Sequence, residues 1–384
     1  MKRFFIFGLS FGLIYLYFFH AQVVDKNRNQ YAQKIYPRLN KRVSEFHEKL
    51  LVVDLHADQL LWNRDLYNKT NYGHFDWYRA KEGGIDIQIL SSVTRVPFGL
   101  NYHSNSSNTD MIGLLVFLQR WPFKTWFSEF ERASYMLDKL QRYSEDERVV
   151  FIKYRDDIDL LPSKNSMGVL FSVEGAHAFE GDLKKFMLLF DKGLRMVGLT
   201  HFFDNKVGGS AHGESKGGLT PFGKELLRLM EEKGVIVDLA HSSEKLFKDV
   251  FEIAKQPFVV SHGGVKGTCD SPRNLSDSQL SMIKMNKGLV GIGFWKEAVC
   301  GVGVDAIVDA IEYVVQKIGE DFVALGSDFD GTVQTPFDVR GVNQITQELL
   351  KRGYSAQTIS KIMGGNALRI LRQLLSPRSL SASL

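Results

Sequence analysis

The stretch Leu51-Val52-Val53-Asp54-Leu55-His56-Ala57-Asp58 closes an apolar run with an imidazole and a carboxylate two residues apart. On a strand, residues i and i+2 point to the same side, so His56 and Asp58 converge just past the strand end, where they can hold a divalent cation. For such a pair alone, the ordinary alternative is a surface histidine beside a helix-capping aspartate. The pattern recurs, however. Later apolar runs end in Glu174, His201, His241, His262 and Asp328. Four of the ten histidines, two aspartates and a glutamate would thus ring one mouth of a fold that set these runs side by side. Imidazoles and carboxylates without thiolates suit zinc, manganese or iron in a catalytic site with an open position.

The runs that must position these residues number eight: the one ending in His56, then 84–90, 167–173, 194–200, 234–240, 257–261, 288–294 and 322–326. Segments with helical periodicity lie between them, among them 221–233, 243–255, 277–286 and 304–318. Thr220 before Pro221 reads as an N-cap followed by proline at the first helical position, and Ser276 and Asp277 open the later helix in the same way. Eight alternating β/α units predict an α/β fold, a parallel (β/α)8 barrel, with its active site at the C-terminal ends of the strands. No low-complexity segment and no repeat of the solenoid kind interrupts the rhythm.

Composition removes several functions. Acids and bases nearly balance at a formal net charge of +4, without a long basic run, so nucleic-acid binding has no support. Cys269 and Cys300 are the two cysteines and form no CxxC, which argues against a zinc-thiolate site; one disulfide between them or two free thiols are both open. Lys2 and Arg3 precede an apolar run over 4–19, an export signal or signal anchor. An uncleaved anchor holding an exported domain is the preferred expectation over a cleaved signal, with a cytoplasmic protein the outside alternative. Residues 1–24 then form the leader and 25–384 the barrel domain, with an insertion around 101–165. Within that insertion 117–130 is aromatic, including Trp121, Phe123, Trp126 and Phe127. Ordinary packing of a helical hairpin is expected there ahead of a lid or a membrane contact. A polar, helix-compatible segment spans 31–49, and the Ser-rich end, 376–384, reads as a frayed terminus.

Taken together, Val53-Asp54-Leu55-His56-Ala57-Asp58, Ser172-Val173-Glu174-Gly175, Leu199-Thr200-His201, Gly218-Leu219-Thr220-Pro221-Phe222-Gly223, Asp238-Leu239-Ala240-His241, Ser261-His262, Arg273-Asn274 and Gly326-Ser327-Asp328-Phe329-Asp330-Gly331 resemble the membrane dipeptidase (renal dipeptidase) family of amidohydrolase-type zinc peptidases. The resemblance runs in order from about residue 50 to about 370, and 200–220 looks like the bacterial branch. It implies two zinc ions, one on His56 and Asp58, the other on His241 and His262, with Glu174 bridging them and the two ions acidifying a shared water. It further implies Asp328 as the proton-transferring residue, His201 as the group that polarises the scissile carbonyl, and Arg273 as the receiver of a dipeptide's terminal carboxylate. A dipeptide, including one ending in a D-residue, is the implied substrate, and a homodimer is open. Another amidohydrolase acting on an ester, lactone or phosphotriester is the alternative, followed by a non-catalytic exported binding protein. Three features depart from the family pattern. Residues 101–130 align with no motif, the loop 294–298 lacks a tyrosine seen in animal members, and His177, His212 and Asp330 match no ligand position.

Overall fold

The structure, a computed structural model, describes residues 21–33, 36, 39–161 and 166–378. The apolar run over 4–19 and most of the Ser-rich terminus lie outside them. Among the described residues no helix is long and apolar enough to cross a membrane.

Eight parallel strands close into a barrel: β1 (Val53–Ala57), β2 (Ile87–Val93), β3 (Met167–Glu174), β4 (Leu194–Gly198), β5 (Ile236–Asp238), β6 (Val259–Gly263), β7 (Leu289–Ile292) and β8 (Val323–Leu325). Each pairs with its sequence neighbour, and β8 returns to β1 through Leu325 opposite Asp54, so the ring has no free edge. Val53, Leu55, Ile87, Ile89, Leu170, Met196, Ile236 and Val259 fill the interior. Ile370, Leu371 and Leu374 of the last helix, Asn366–Leu374, belong to the same cluster. Burying each such side chain contributes about 1.5–3 kcal/mol relative to exposure.

The helices form an outer layer whose apolar stripes face the strands. In Glu244–Ile253 the buried residues are Leu246, Phe247 and Val250, one face of a 3.6-residue period, and Ser243 caps the helix by accepting from the Leu246 amide. Helices Pro221–Lys233, Asp277–Asn286 and Val304–Ile318 have the expected bounds. Thr220 caps the first of them ahead of Pro221, and Ser276 forms a capping box with Gln279.

Three differences from expectation have physical causes. The second strand begins at Ile87, not 84, because Gly84 takes a left-handed turn (φ +81°) and the strand runs on through Ser91 and Ser92. Within 31–49 only Lys41–His47 is helical among the described residues, while Gln30–Tyr31 pairs as a short parallel strand with Gln334–Thr335. In the insertion, helices Met111–Leu118 and Glu129–Tyr143 pack by ordinary burial of Trp121, Ala133, Met136 and Leu137, while Phe123 and Phe127 stay exposed. An additional strand, Val149–Phe151, pairs with the start of β3. Cys269 and Cys300 are joined, linking the loop after β6 to the loop after β7.

Residues 25–33, with Tyr36, form a strap over the segment that follows β8. Buried Asp25 accepts from Arg64 Nε (2.7 Å), and Arg64 Nη2 reaches Asp330 Oδ1 (2.7 Å). Asn29 Oδ1 accepts from the Thr332 amide (2.8 Å), and Tyr36 donates to Asp338 (2.7 Å). A chain lacking residues 1–20 keeps all of this and is expected to melt like the full chain. A chain lacking residues 1–40 should lose on the order of 3 kcal/mol, from a buried ion pair and several hydrogen bonds. The check is the melting temperature of both truncations; equal values would show the strap to be passive.

Candidate metal centre at the barrel mouth

Every chemistry-bearing residue singled out above reaches one mouth of the barrel. His56 lies on β1, Glu174 ends β3, and His262 lies on β6. His201, His241 and Asp328 each follow a strand end closely, after β4, β5 and β8. Register shifts interrupt the pairing of β1 with β2 between Asp54 and Ala57, and of β6 with β7 between Val260 and Gly263. Such irregularities re-aim side chains, and these two flank His56 and His262. Asp58 sits just outside its strand, with φ −108° and ψ 26°, yet its Oδ1 is 3.5 Å from His56 Nε2. The i, i+2 expectation therefore has the right outcome by a different backbone path.

Glu174 is the centre of the cluster. Its Oε2 lies 3.4 Å from His201 Nε2 and 3.7 Å from His56 Nε2, while its Oε1 lies 3.0 Å from His241 Nε2 and 3.1 Å from His262 Nε2. Asp328 Oδ1 stands 4.0 Å from His56 Nε2. Three overlapping groups have ligand atoms close enough to share an ion: His56, Asp58 and Glu174; Glu174, His201 and His241; and His56, His262 and Asp328.

Hydrogen-bond accounting shows that these residues fit a cation. Ser261 gives its one hydroxyl proton to Asp238 Oδ2 (2.6 Å), so His262 Nδ1, 2.8 Å away, must be the donor to Ser261. That leaves a lone pair on His262 Nε2, facing a Glu174 oxygen that is also an acceptor. Two acceptors at 3.1 Å repel unless a cation lies against both. His56 makes the same point, since neither of its buried ring nitrogens has a hydrogen-bond partner. A buried Asp54 steadies β1 at this point by accepting from Ser327, whose hydroxyl is also 3.0 Å from the His56 carbonyl.

The electrostatics agree. Burial, and then Arg273, hold His241 well below the ordinary histidine range; burial, His56 and Arg273 do the same for His262. Burial alone would raise Glu174, but the imidazoles that surround its carboxylate, His201 and His56 foremost, take it well below the usual carboxylate value. Burial pushes Asp58 up to about 6 despite His56. It also lifts Asp328 well above the usual range against the pull of His56, and repulsion from Asp58 and Glu174 adds to the rise. His56 goes the other way: against burial, Glu174 and Asp58 hold it well above the ordinary histidine range, so it takes up positive charge where the carboxylates crowd, the position a dication would fill beside the neutral His241 and His262.

Strain accompanies this arrangement. His241 (φ 61°), Asp328 (φ 60°) and Asp330 (φ 64°) occupy the left-handed region, at a cost of order 1–3 kcal/mol each. Gly175 (φ 98°) is required after Glu174, because a Cβ there would come within 2.2 Å of His177.

Arg273, 7% exposed, reaches the cluster from the loop after β6. Its Nη1 lies 2.6 Å from both ring nitrogens of His241, its Nη2 donates to the His262 carbonyl (3.3 Å), and its guanidinium lies over the Trp295 ring at 4.9 Å. Tyr102 and Trp295 were not singled out in the sequence as parts of this site. Trp295 Nε1 donates to Tyr102 Oη (3.2 Å), and the Tyr102 carbonyl accepts from His212 Nδ1 (2.9 Å). His212 thus fastens the unaligned insertion to the mouth, and burial followed by Arg273 takes it to about 3, so it stays neutral. Asp330 belongs to the strap through Arg64, and its backbone amide donates to His74 (2.8 Å). His177 packs on Phe203 with no hydrogen-bond partner for either nitrogen.

Comparison with other proteins supplies the family. Residues 40–381 match the family described as membrane dipeptidase (peptidase family M19). Dipeptidase aclJ of Aspergillus oryzae is 34% identical over 341 residues, covering 83% of this chain and 77% of its own. Dipeptidase tcpJ of Claviceps purpurea is 32% identical over 313 residues, covering 79% and 69%. Among solved structures, the probable dipeptidase PvdM of Pseudomonas aeruginosa shares the fold with a TM-score of 0.74 at 22% identity, over 87% of this chain and 98% of its own. A Rhodobacter sphaeroides metallopeptidase, solved with a phosphinate mimic of the dipeptide L-Ala-D-Ala, superposes with a TM-score of 0.68 at 24% identity, over 85% and 99%. With a family match running from residue 40 to residue 381, the chain belongs to the membrane dipeptidases of peptidase family M19 and is a metallodipeptidase.

Proposed function

We propose that this metallodipeptidase works with two zinc ions, and that its substrates include dipeptides ending in a D-residue. The observation that carries the two-ion reading is the two-sided carboxylate of Glu174, one oxygen toward His56 and His201 and the other toward His241 and His262. His56 and Asp58 would hold one ion, His241 and His262 the other, with Glu174 shared. When bound, such a pair supplies Lewis acidity that brings a water's pKa toward neutral.

The chain's own residues do the rest. Asp328 takes a proton from the attacking water and delivers it to the leaving amine. His201 donates to the carbonyl oxygen as negative charge develops on it. Arg273 receives the terminal carboxylate by a planar, bidentate pairing. A cation held by His241 would take a nitrogen that Arg273 approaches at 2.6 Å, which would leave the guanidinium to the substrate's carboxylate. The dipeptide mimic carried by the Rhodobacter sphaeroides structure supports testing D-residues at the second position.

The proposal includes place. The apolar run over 4–19 and the Cys269–Cys300 bridge both suit an exported enzyme, held at a membrane or released by signal cleavage.

The deciding experiment combines elemental analysis with a dipeptide panel that includes Xaa-D-Ala. About two zinc ions per active chain and release of free amino acids are expected. Active protein without stoichiometric transition metal would sink the reading. Turnover of esters or lactones in preference to dipeptides would favour the other amidohydrolase chemistry.

A further inference from the structure

Beside Arg273 the site opens sideways into a cavity of about 690 Å³, to which His241, His262 and Arg273 contribute the buried floor. Its walls carry Lys216, Lys245, Lys248 and Lys266, all exposed, against a single carboxylate, Glu244. With Arg273 this makes five cations to one anion, an excess as large as the formal +4 of the whole chain. Charge that is balanced elsewhere is therefore concentrated in one groove. Lys245 and Lys248 share theirs loosely with Asp249 (3.6 Å) and Glu252 (3.8 Å) one turn on. Lys216 and Lys266 have no ion-pair partner among the described residues. The first turns of Glu244–Ile253 and Asp277–Asn286 also line the groove, adding the positive ends of two helix dipoles.

We propose that this groove receives the side chain of the substrate's C-terminal residue and selects dipeptides in which that residue is acidic. The inference rests on Arg273 as the carboxylate anchor. In a dipeptide the terminal carboxylate and the second side chain branch from one Cα, so fixing the first at Arg273 directs the second into the space continuous with it. A neutral side chain gains nothing from the lysines there, an acidic one is attracted, and a basic one is repelled. The lysines need not touch the ligand. Their fields reach about 8 Å at physiological ionic strength and about 3 Å at 1 M, so the preference must weaken with salt.

The test measures kcat/KM for Ala-Glu, Ala-Ala and Ala-Lys, and for Ala-Ala amide, at low and at high salt. It uses the wild type and the double variant Lys216→Glu/Lys266→Glu. The wild type is expected to favour Ala-Glu over Ala-Lys by roughly tenfold or more at low salt, less at high salt. The double variant should lower that ratio by roughly tenfold, and the charge-neutral pair Lys216→Gln/Lys266→Gln should move it part of the way. Both lysines are exposed, and an unchanged melting temperature verifies that the variants fold. A ratio near one in the wild type, or one indifferent to either double variant, overturns the subsite. Equal cleavage of Ala-Ala and its amide overturns the Arg273 anchor and the subsite together, whereas strong acid-over-amide selection without side-chain selection overturns the subsite alone.

Discussion

Glu174→Gln is expected to lose stoichiometric metal binding and nearly all dipeptidase activity while leaving the barrel folded. The replacement keeps the shape of the side chain, and its amide NH2 can donate to an imidazole nitrogen that now faces a carboxylate oxygen at 3.0–3.1 Å. The metal-free fold therefore gains a hydrogen bond where it had two opposed acceptors. What disappears is the charge both halves of the site share. Losing even an outer partner of a metal ligand typically costs 10–100-fold in affinity, so losing the shared ligand should cost more than about 100-fold. At a zinc concentration that stabilises the wild type by about 2.7 kcal/mol through binding to the native state alone, the variant should show almost none of that stabilisation. Melting curves with and without zinc, read beside elemental analysis, separate this outcome from simple misfolding. A variant that keeps a full metal complement and its activity would remove Glu174 from the role of bridge.

Arg273→Ala should cripple hydrolysis of ordinary dipeptides and do far less to dipeptide amides, which lack the carboxylate and are expected to be poor substrates from the start. Hydrogen bonds to a charged group are worth about 1.5–3 kcal/mol each, so losing a bidentate pair costs on the order of 100-fold or more in kcat/KM. A dipeptide has one peptide bond, which fixes the distance from that bond to the carboxylate. A cation at the right distance thus measures the length of the substrate. Arg273→Lys should rescue only partly, since it restores charge without the planar fork. Because Arg273 also contacts His241 and the His262 carbonyl, a structural role has its own signature: acid and amide substrates would then lose equally.

The barrel was legible because each strand is a short apolar run with few competitors for the buried position. The site was legible because its residues stand where those runs stop. Less visible was whatever depends on pairs distant in the chain. Asp238 and Ser261 are 23 residues apart, and Asp54 and Ser327 are 273 apart; each pair sits inside motifs already recognised, but only the folded barrel shows an aspartate orienting a neighbouring strand end through a hydroxyl. Tyr102 gave no signal, since it lies in an insertion without a recognisable pattern and meets Trp295 across 193 residues. The state of Cys269 and Cys300 was open for the same reason. Nothing local sets a Cα–Cα distance of 5.2 Å between two loops, and the closing of β6 against β7 does.

The strap of residues 25–33 and Tyr36 gives the molecule a mechanical axis. A pull on the N-terminal end meets the exposed Gln22–Tyr72 hydrogen bond and the packing of Val24, then the buried Asp25, then Asn29 and the two-residue pairing of Gln30–Tyr31 with Gln334–Thr335. From Asp25 the load passes through Arg64 to Asp330, two positions along the chain from Asp328, before it reaches any barrel strand. Where the enzyme hangs from a tether, the tether and the residue proposed to move the proton share one line of force, and the strap is the part that takes up the strain.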